Sequence, residues 1–234
     1  MPERTLLRVG GVSGIVGSVL GIVFNILHPR AAQFEDITAQ LRVVAENADF
    51  YVFDHWMLSL AVFLAVGLYA ALYRSITQGP GAAWAWFGFA ASIAAVSVGL
   101  VTISIDNIAV KAVAVEWAKA PAAEAPLALR FAETVESINL GLASAFFTLF
   151  LGVTPLLFGI AIATSDGYPR WLGWVAIVLG ALLIVFVGVP FAASAPAFPP
   201  TPIVRIVFPL LSILVTLWTL IMGVQMLRRA GQMT

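Results

Sequence analysis

Cysteine is absent from this chain. Its absence excludes disulfides, thiolate nucleophiles, cysteine-held iron–sulfur clusters and cysteine-ligated zinc. Charge is scarce as well. Asp, Glu, Lys and Arg make up 10% of the sequence, and bases and acids balance at 12 each, so no basic surface is left over for nucleic acid. Histidine occurs only at His28 and His55, so any imidazole chemistry uses one or both. There is no Gly-rich phosphate loop, no His-Glu-x-x-His and no Gly-x-Ser-x-Gly. Alternating strands of about ten residues, the mark of a membrane barrel, are missing too.

Apolar sequence fills the space. Hydrophobic residues reach 61% and the mean hydropathy is +1.00. A bilayer crossing takes about 20 predominantly apolar residues. Six stretches qualify: Leu7–Leu27, Tyr51–Tyr73, Ala82–Ile105, Ser137–Thr164, Trp171–Pro190 and Ile203–Leu227. In lipid a helix satisfies its own backbone groups. The expected fold is therefore all-α, a polytopic transmembrane bundle of six helices forming a single membrane domain over residues 1–234. Arg4 and Arg8 precede Val9–Leu27 in the manner of a signal peptide. A signal h-region runs about 7–15 residues; this stretch is longer and reads as a true first span.

Short and long connections alternate, as opposite sides of a membrane require. Gly79-Pro80-Gly81 and Ser165–Arg170 are tight turns, whereas Leu27–Phe50 and Asp106–Glu136 are long and carry most of the acids. Val189–Pro202 is proline-rich and reads as an irregular extended loop. Ile105–Arg130 reads as an amphipathic surface helix on the non-cytoplasmic side, with Val110, Val113, Ala114 and Trp117 on its apolar face and Pro121 and Pro126 ending it. Together with the Arg30–Asp49 loop it would cap the outer end of the bundle. Arg4, Arg8, Arg74, Arg170, Arg228 and Arg229 lie in short loops and tails, where the positive-inside rule applies best. The rule then predicts both termini in the cytoplasm. The opposite side carries six bases against ten acids. Trp84, Trp86, Trp171 and Trp174 at one interface, and Trp56 and Tyr51 at the other, suit aromatic belts.

The polar residues worth following fall near the predicted outer end. Gly10, Gly14, Gly17, Gly21, Asn25 and His28 recur in steps of three and four, on one helix face. The glycines suit close approach of another helix, within the chain or from a partner. His28 closes the first span and His55 opens the second, so both lie at one level. Asp54, Asp106, Glu133 and Glu136 are expected beside them, since ionisable groups near membrane depth face a bundle interior or water. Asn25, His28, His55, Trp56 and Asn107 are candidate ligand-binding residues. Asp54, Asp106, Glu133 and Glu136 are candidate acids. The spacing of His28 and His55 matches no compact metal motif, so no cofactor is favoured. The pair remains the weak candidate ligand set for a divalent metal or a haem.

The turn Tyr168-Pro169-Arg170-Trp171-Leu172-Gly173-Trp174 follows a helix with Gly152, Pro155 and Gly159. Upstream lie Asp106-Asn107, Lys111, Glu116-Trp117 and the Glu133/Glu136 pair. With these the chain resembles a family of small bacterial integral membrane proteins grouped as a domain of unknown function. The likeness runs from the first helix to the sixth and is strongest between Asp106 and Gly180. It implies six transmembrane helices and a bacterial source, and it implies no catalytic residue; the expected location is the bacterial cytoplasmic membrane.

Three functions are consistent with these residues. One is binding of a hydrophobic or amphipathic small molecule in an outward-facing polar and aromatic pocket. The second is a membrane enzyme using a carboxylic acid as general acid on a lipid-soluble, prenyl-like substrate, with aromatic walls steadying positive charge. The third is an accessory subunit docked through the Gly10/Gly14/Gly17/Gly21 face.

Overall fold

In the computed structural model, residues 2–31, 36–189 and 202–233 are described, and among them there is helix and no strand. Helix α1 spans Pro2–Leu27, α2 Ile37–Glu46, α3 Ala48–Ser75 and α4 Ala82–Ile105. A π-helical turn, Asp106–Val110, joins α4 without a break to α5, Lys111–Lys119. Helix α6, Ala125–Phe147, runs through a second π-turn, Thr148–Val153, into α7, Thr154–Ala163. Helix α8, Arg170–Leu183, ends in a third π-turn, Ile184–Gly188. Helix α9 spans Pro202–Gln232. Six of the continuous helices are long and apolar enough to cross a membrane. The protein is a multi-pass membrane protein. The proline-rich loop expected over Val189–Pro202 falls almost wholly outside the described residues.

Helix α1 packs along α3 on one flank and α9 on the other, while α4 bridges α3 to α7 and α7 lies against α8. The glycines explain how closely these helices approach. A Cβ on Gly10 would collide with Ala71 of α3, and one on Gly11 would meet the Gly223 carbonyl of α9 at 2.8 Å. Between α7 and α8 the fit is tighter still: a Cβ on Gly173 would lie 2.6 Å from the Gly159 carbonyl, and one on Gly180 equally close to that of Gly152. Small residues that let backbones meet are the usual adhesive between membrane helices. The Gly10/Gly14/Gly17 face is therefore covered by the chain's own α3 and α9. An external helix partner is left at most the Gly21 end of the expected Gly10/Gly14/Gly17/Gly21 face, where a Cβ would touch only Ala61 at 4.0 Å.

The central core sits toward one end. Tyr69 stacks on Phe158 with ring centroids 5.2 Å apart, and Leu7, Leu72, Leu172, Trp218 and Met222 close around them. At that end Ser75 Oγ meets the Tyr168 hydroxyl at 2.8 Å. Arg229 donates to the Gly167 carbonyl at 2.9 Å and lies over the Tyr168 ring. Burial raises the Tyr168 phenol above its ordinary value. The N-terminus, the Ser75–Gly81 turn, the Ser165–Arg170 turn and the C-terminal residues thus share one end, as the alternation of loop lengths predicts. Gly79, with φ +74°, is the one described residue with positive φ and makes the tight turn at Gly79-Pro80-Gly81.

The opposite end differs from expectation in two respects. The amphipathic segment after Ile105 is no separate surface helix; it is the upward extension of α4, and residues 125–130 already belong to α6. The Ala82–Lys119 stretch counts 38 residues. At 1.5 Å per residue it is roughly 57 Å long, against about 30 Å of hydrocarbon. It is longer than one crossing requires. The second difference is α2, read as loop from the sequence. Asp36 caps it, accepting from the backbone N–H of Thr38 and Ala39. A hydrogen bond from the Thr38 hydroxyl first of all, with those from the backbone, holds the exposed Asp36 carboxyl below its usual range. Leu41 and Val44 of α2, Val113 and Ala114 of α5, Ala132 of α6 and Tyr51 of α3 form a small apolar core of their own. This is the cap, and it sits over the polar residues described next.

Candidate functional site

Three helices meet under the cap. Helix α1 delivers His28 just past its last turn. The first turns of α3 deliver Tyr51, Asp54 and His55, whose spacing of three and four puts them on one face. The π-turn at the top of α4 delivers Asp106 and Asn107. A π-turn carries one extra residue, and it re-aims side chains locally.

These residues form one connected cluster. His28 Nδ1–H donates to Asp54 Oδ2 at 2.7 Å. His55 Nδ1 lies 2.7 Å from the Tyr51 carbonyl, which only accepts, so this nitrogen carries the proton. The other ring nitrogen of His55, Nε2, faces Asp106 Oδ2 at 3.2 Å. The Tyr51 hydroxyl donates to Asp106 Oδ1. His55 Nδ1 also lies 3.8 Å from Asp54 Oδ2. The two imidazoles sit edge to face with centroids 5.0 Å apart, and Tyr51 covers His55 at 4.2 Å.

The cluster is closed more than open. Asp54 is fully buried and His55 2% exposed, while the side chains of His28 and Asp106 retain 13% and 25%. Among the described residues, the cations within ion-pair distance of Asp54 and Asp106 are imidazoles alone. Arg30, the next cation out, feels the Asp54 charge but donates its hydrogen bond to Asn25 Oδ1 at 3.1 Å. Three buried oxygens nearby lack a hydrogen-bond partner: Asp54 Oδ1, Asn107 Oδ1 and Asn139 Oδ1. Native proteins leave few such groups, and each asks for a reason.

The sequence-predicted residues divide cleanly. His28, Asp54, His55 and Asp106 are brought together, with Asn107 buried beside them. Glu136 stands a step away, hydrogen-bonded by Asn139 at 3.4 Å and within electrostatic range of Asp106 and Tyr51. Glu133, one turn before Glu136 on α6, is exposed, and Asn25 is exposed beside Arg30. Trp56 is 63% exposed and points out of the bundle, as an interface anchor does. Tyr51 is the residue the sequence reading misplaced. Taken there for an interface anchor, it is 2% exposed and joins the cluster through both its hydroxyl and its carbonyl. Its i, i+4 relation to His55 was the available signal.

Beside the cluster an open apolar groove runs down the lipid side of α4, lined by Leu100, Val101, Ser104, Ile105, Ile108 and Ala109. None of the cluster residues lines it, but Ser104, Ile105 and Ile108 flank Asp106 along the helix. No protein-family model, no curated protein and no solved structure matches this chain.

Proposed function

We propose that this membrane protein binds an amphipathic small molecule at its outer end, the polar head at the His28–Asp54–His55–Asp106 cluster and the apolar part along the α4 groove. The observation that carries the reading is adjacency along α4. One helical stretch presents Asp106 to the cluster and Ser104, Ile105 and Ile108 to the groove. A head rich in donors suits the two carboxylates, and unpartnered oxygens at Asp54 and Asn107 leave acceptors for it. We place the protein in a bacterial cytoplasmic membrane with both termini inside, on the strength of the short-loop arginines and of the family resemblance carried by Tyr168–Trp174.

The test is native mass spectrometry of protein extracted gently from a bacterial membrane. A small-molecule adduct is expected on the wild type, and its loss is expected in both His28→Ala and His55→Ala. An adduct unchanged in both variants overturns the reading. A second reading, acid–base catalysis on a lipid-soluble substrate, is favoured by one feature: Tyr51, Asp106 and His55 form a hydrogen-bonded relay in which a proton has two acceptors. On that reading Asp106→Asn retains the adduct and accumulates unconverted substrate.

A further inference from the structure

The geometry points to a divalent transition-metal site, held by one ring nitrogen each of His28 and His55 and by the Asp54 carboxylate. It rests on the same cluster as the ligand reading and gives that cluster a more definite chemistry.

Ligand geometry comes first. His28, Asp54 and His55 each offer a ligand atom, and these atoms all lie within 4.8 Å of one another. A metal such as zinc sits about 2.0–2.2 Å from nitrogen and oxygen ligands, which places neighbouring ligand atoms roughly 3.5 Å apart. Side-chain rotation covers that difference. Two imidazoles and one carboxylate form a mixed nitrogen and oxygen set of the kind first-row divalent metals take, and three protein ligands leave a coordination position open.

The surroundings of the ligands carry the argument further. A metal-bound histidine almost always gives its other ring N–H to a carboxylate or a carbonyl, and that partner is itself held by a hydrogen bond. His55 has this arrangement. Its Nδ1 is the nitrogen on the Asp54 side, and its Nε2 faces Asp106 Oδ2 at 3.2 Å. Asp106 is in turn fixed by the Tyr51 hydroxyl. Metal uptake at Nδ1 turns that nitrogen from the Tyr51 carbonyl to the ion and moves the ring proton to Nε2, where Asp106 accepts it.

Charge and hydrogen bonding agree. Asp54 is fully buried, yet its Oδ1 has no partner of any kind. A buried carboxylate oxygen left bare is costly, and a metal–oxygen bond would satisfy it. Asp54 and Asp106 together bring two negative charges to a place where the described counter-charges are imidazoles. A divalent cation balances them. His28, the most accessible of the three ligands, marks the side from which an ion would enter, and the open position would face the head of a bound amphiphile.

The test uses full-length protein in detergent, stripped with a chelator and titrated with zinc against a competing chelator. About one equivalent per chain is expected. His28→Ala and Asp54→Asn are each expected to weaken binding by roughly 100-fold or more, and Asp106→Asn, which disturbs only the orientation of His55, by about 10-fold. Cobalt loading adds a second readout, because visible d–d bands report a protein-held tetrahedral ion and vanish in His28→Ala. Because His28→Ala takes the nearest partner from the buried Asp54 carboxylate, a melting curve of the metal-free form checks that this variant still folds. Zinc uptake by the wild type no greater than by a His28→Ala/His55→Ala double variant overturns the proposal, as does an Asp106→Asn protein of undiminished affinity. An amphiphile adduct without metal overturns the metal site alone, and metal without an adduct overturns the ligand reading alone.

Discussion

Tyr69 carries a hydroxyl that has no hydrogen-bond partner among the described residues. The residue is fully buried, stacked on Phe158 and met edge-on by Phe150, and its oxygen has no hydrogen bond. Removing a buried, unpaired polar group while keeping the ring relieves a desolvation penalty of about 1–3 kcal/mol. Tyr69→Phe is expected to melt at a higher temperature than the wild type in the same detergent; a melting point several degrees lower shows that the hydroxyl has a partner. The contrast with Tyr51 is instructive. Both tyrosines lie on the buried face of α3, but Tyr51 gives its hydroxyl to Asp106 and its carbonyl to His55. Sequence reasoning brought His28, Asp54, His55 and Asp106 to one end because charged and imidazole groups avoid lipid. It could not order them, since hydrogen-bond direction depends on which face of α3 turns toward α4. Nor could it separate Tyr51 from Trp56, five positions apart and alike in composition, of which one is buried and the other is not.

At the scale of helices, the glycine contacts between α7 and α8 dictate the packing. Gly152 and Gly159 on one side meet Gly180 and Gly173 on the other, backbone to backbone. A single methyl at Gly173 would lie 2.5 Å from the Ala163 amide nitrogen, and neither helix backbone can yield cheaply. Gly141 provides the control, because a Cβ there meets nothing within 4 Å. Gly173→Ala is expected to lose at least about 1–3 kcal/mol to overpacking, and Gly141→Ala to be neutral or slightly stabilising through helix propensity. Equal melting temperatures for the two variants would contradict the packing described. The six crossings themselves were readable from apolar length alone. The π-turns were not. The one at Thr148–Val153 has a local cause in Pro155, which lacks an N–H and crowds the carbonyl four residues earlier. The one at Asp106–Val110 has no proline behind it. Helix α2 escaped notice for a different reason: its ten residues are amphipathic but too short to stand out against spans twice their length.

Taken whole, the molecule has two unlike ends. One collects both termini and the short arginine-bearing turns. The other carries the cap, the long connections and the His–Asp cluster. The absence of native cysteine makes this polarity simple to test. Single cysteines at Gln78 and Asp166 are expected to resist a membrane-impermeant maleimide in intact bacterial cells, and one at Glu124 to react. The reverse pattern would invert the proposed orientation and put the cluster on the cytoplasmic side. The link between His28 and Asp54 has one more consequence, for biogenesis. A chain leaves the ribosome N-terminus first, so α1 and α3 are complete before α4 exists. Both partners of that ion pair, at 2.7 Å, belong to this first hairpin. The hairpin can neutralise its own buried carboxylate while it enters the bilayer, before the third span has been synthesised. Asp106 arrives afterwards, at the top of α4, and joins a pair that already exists.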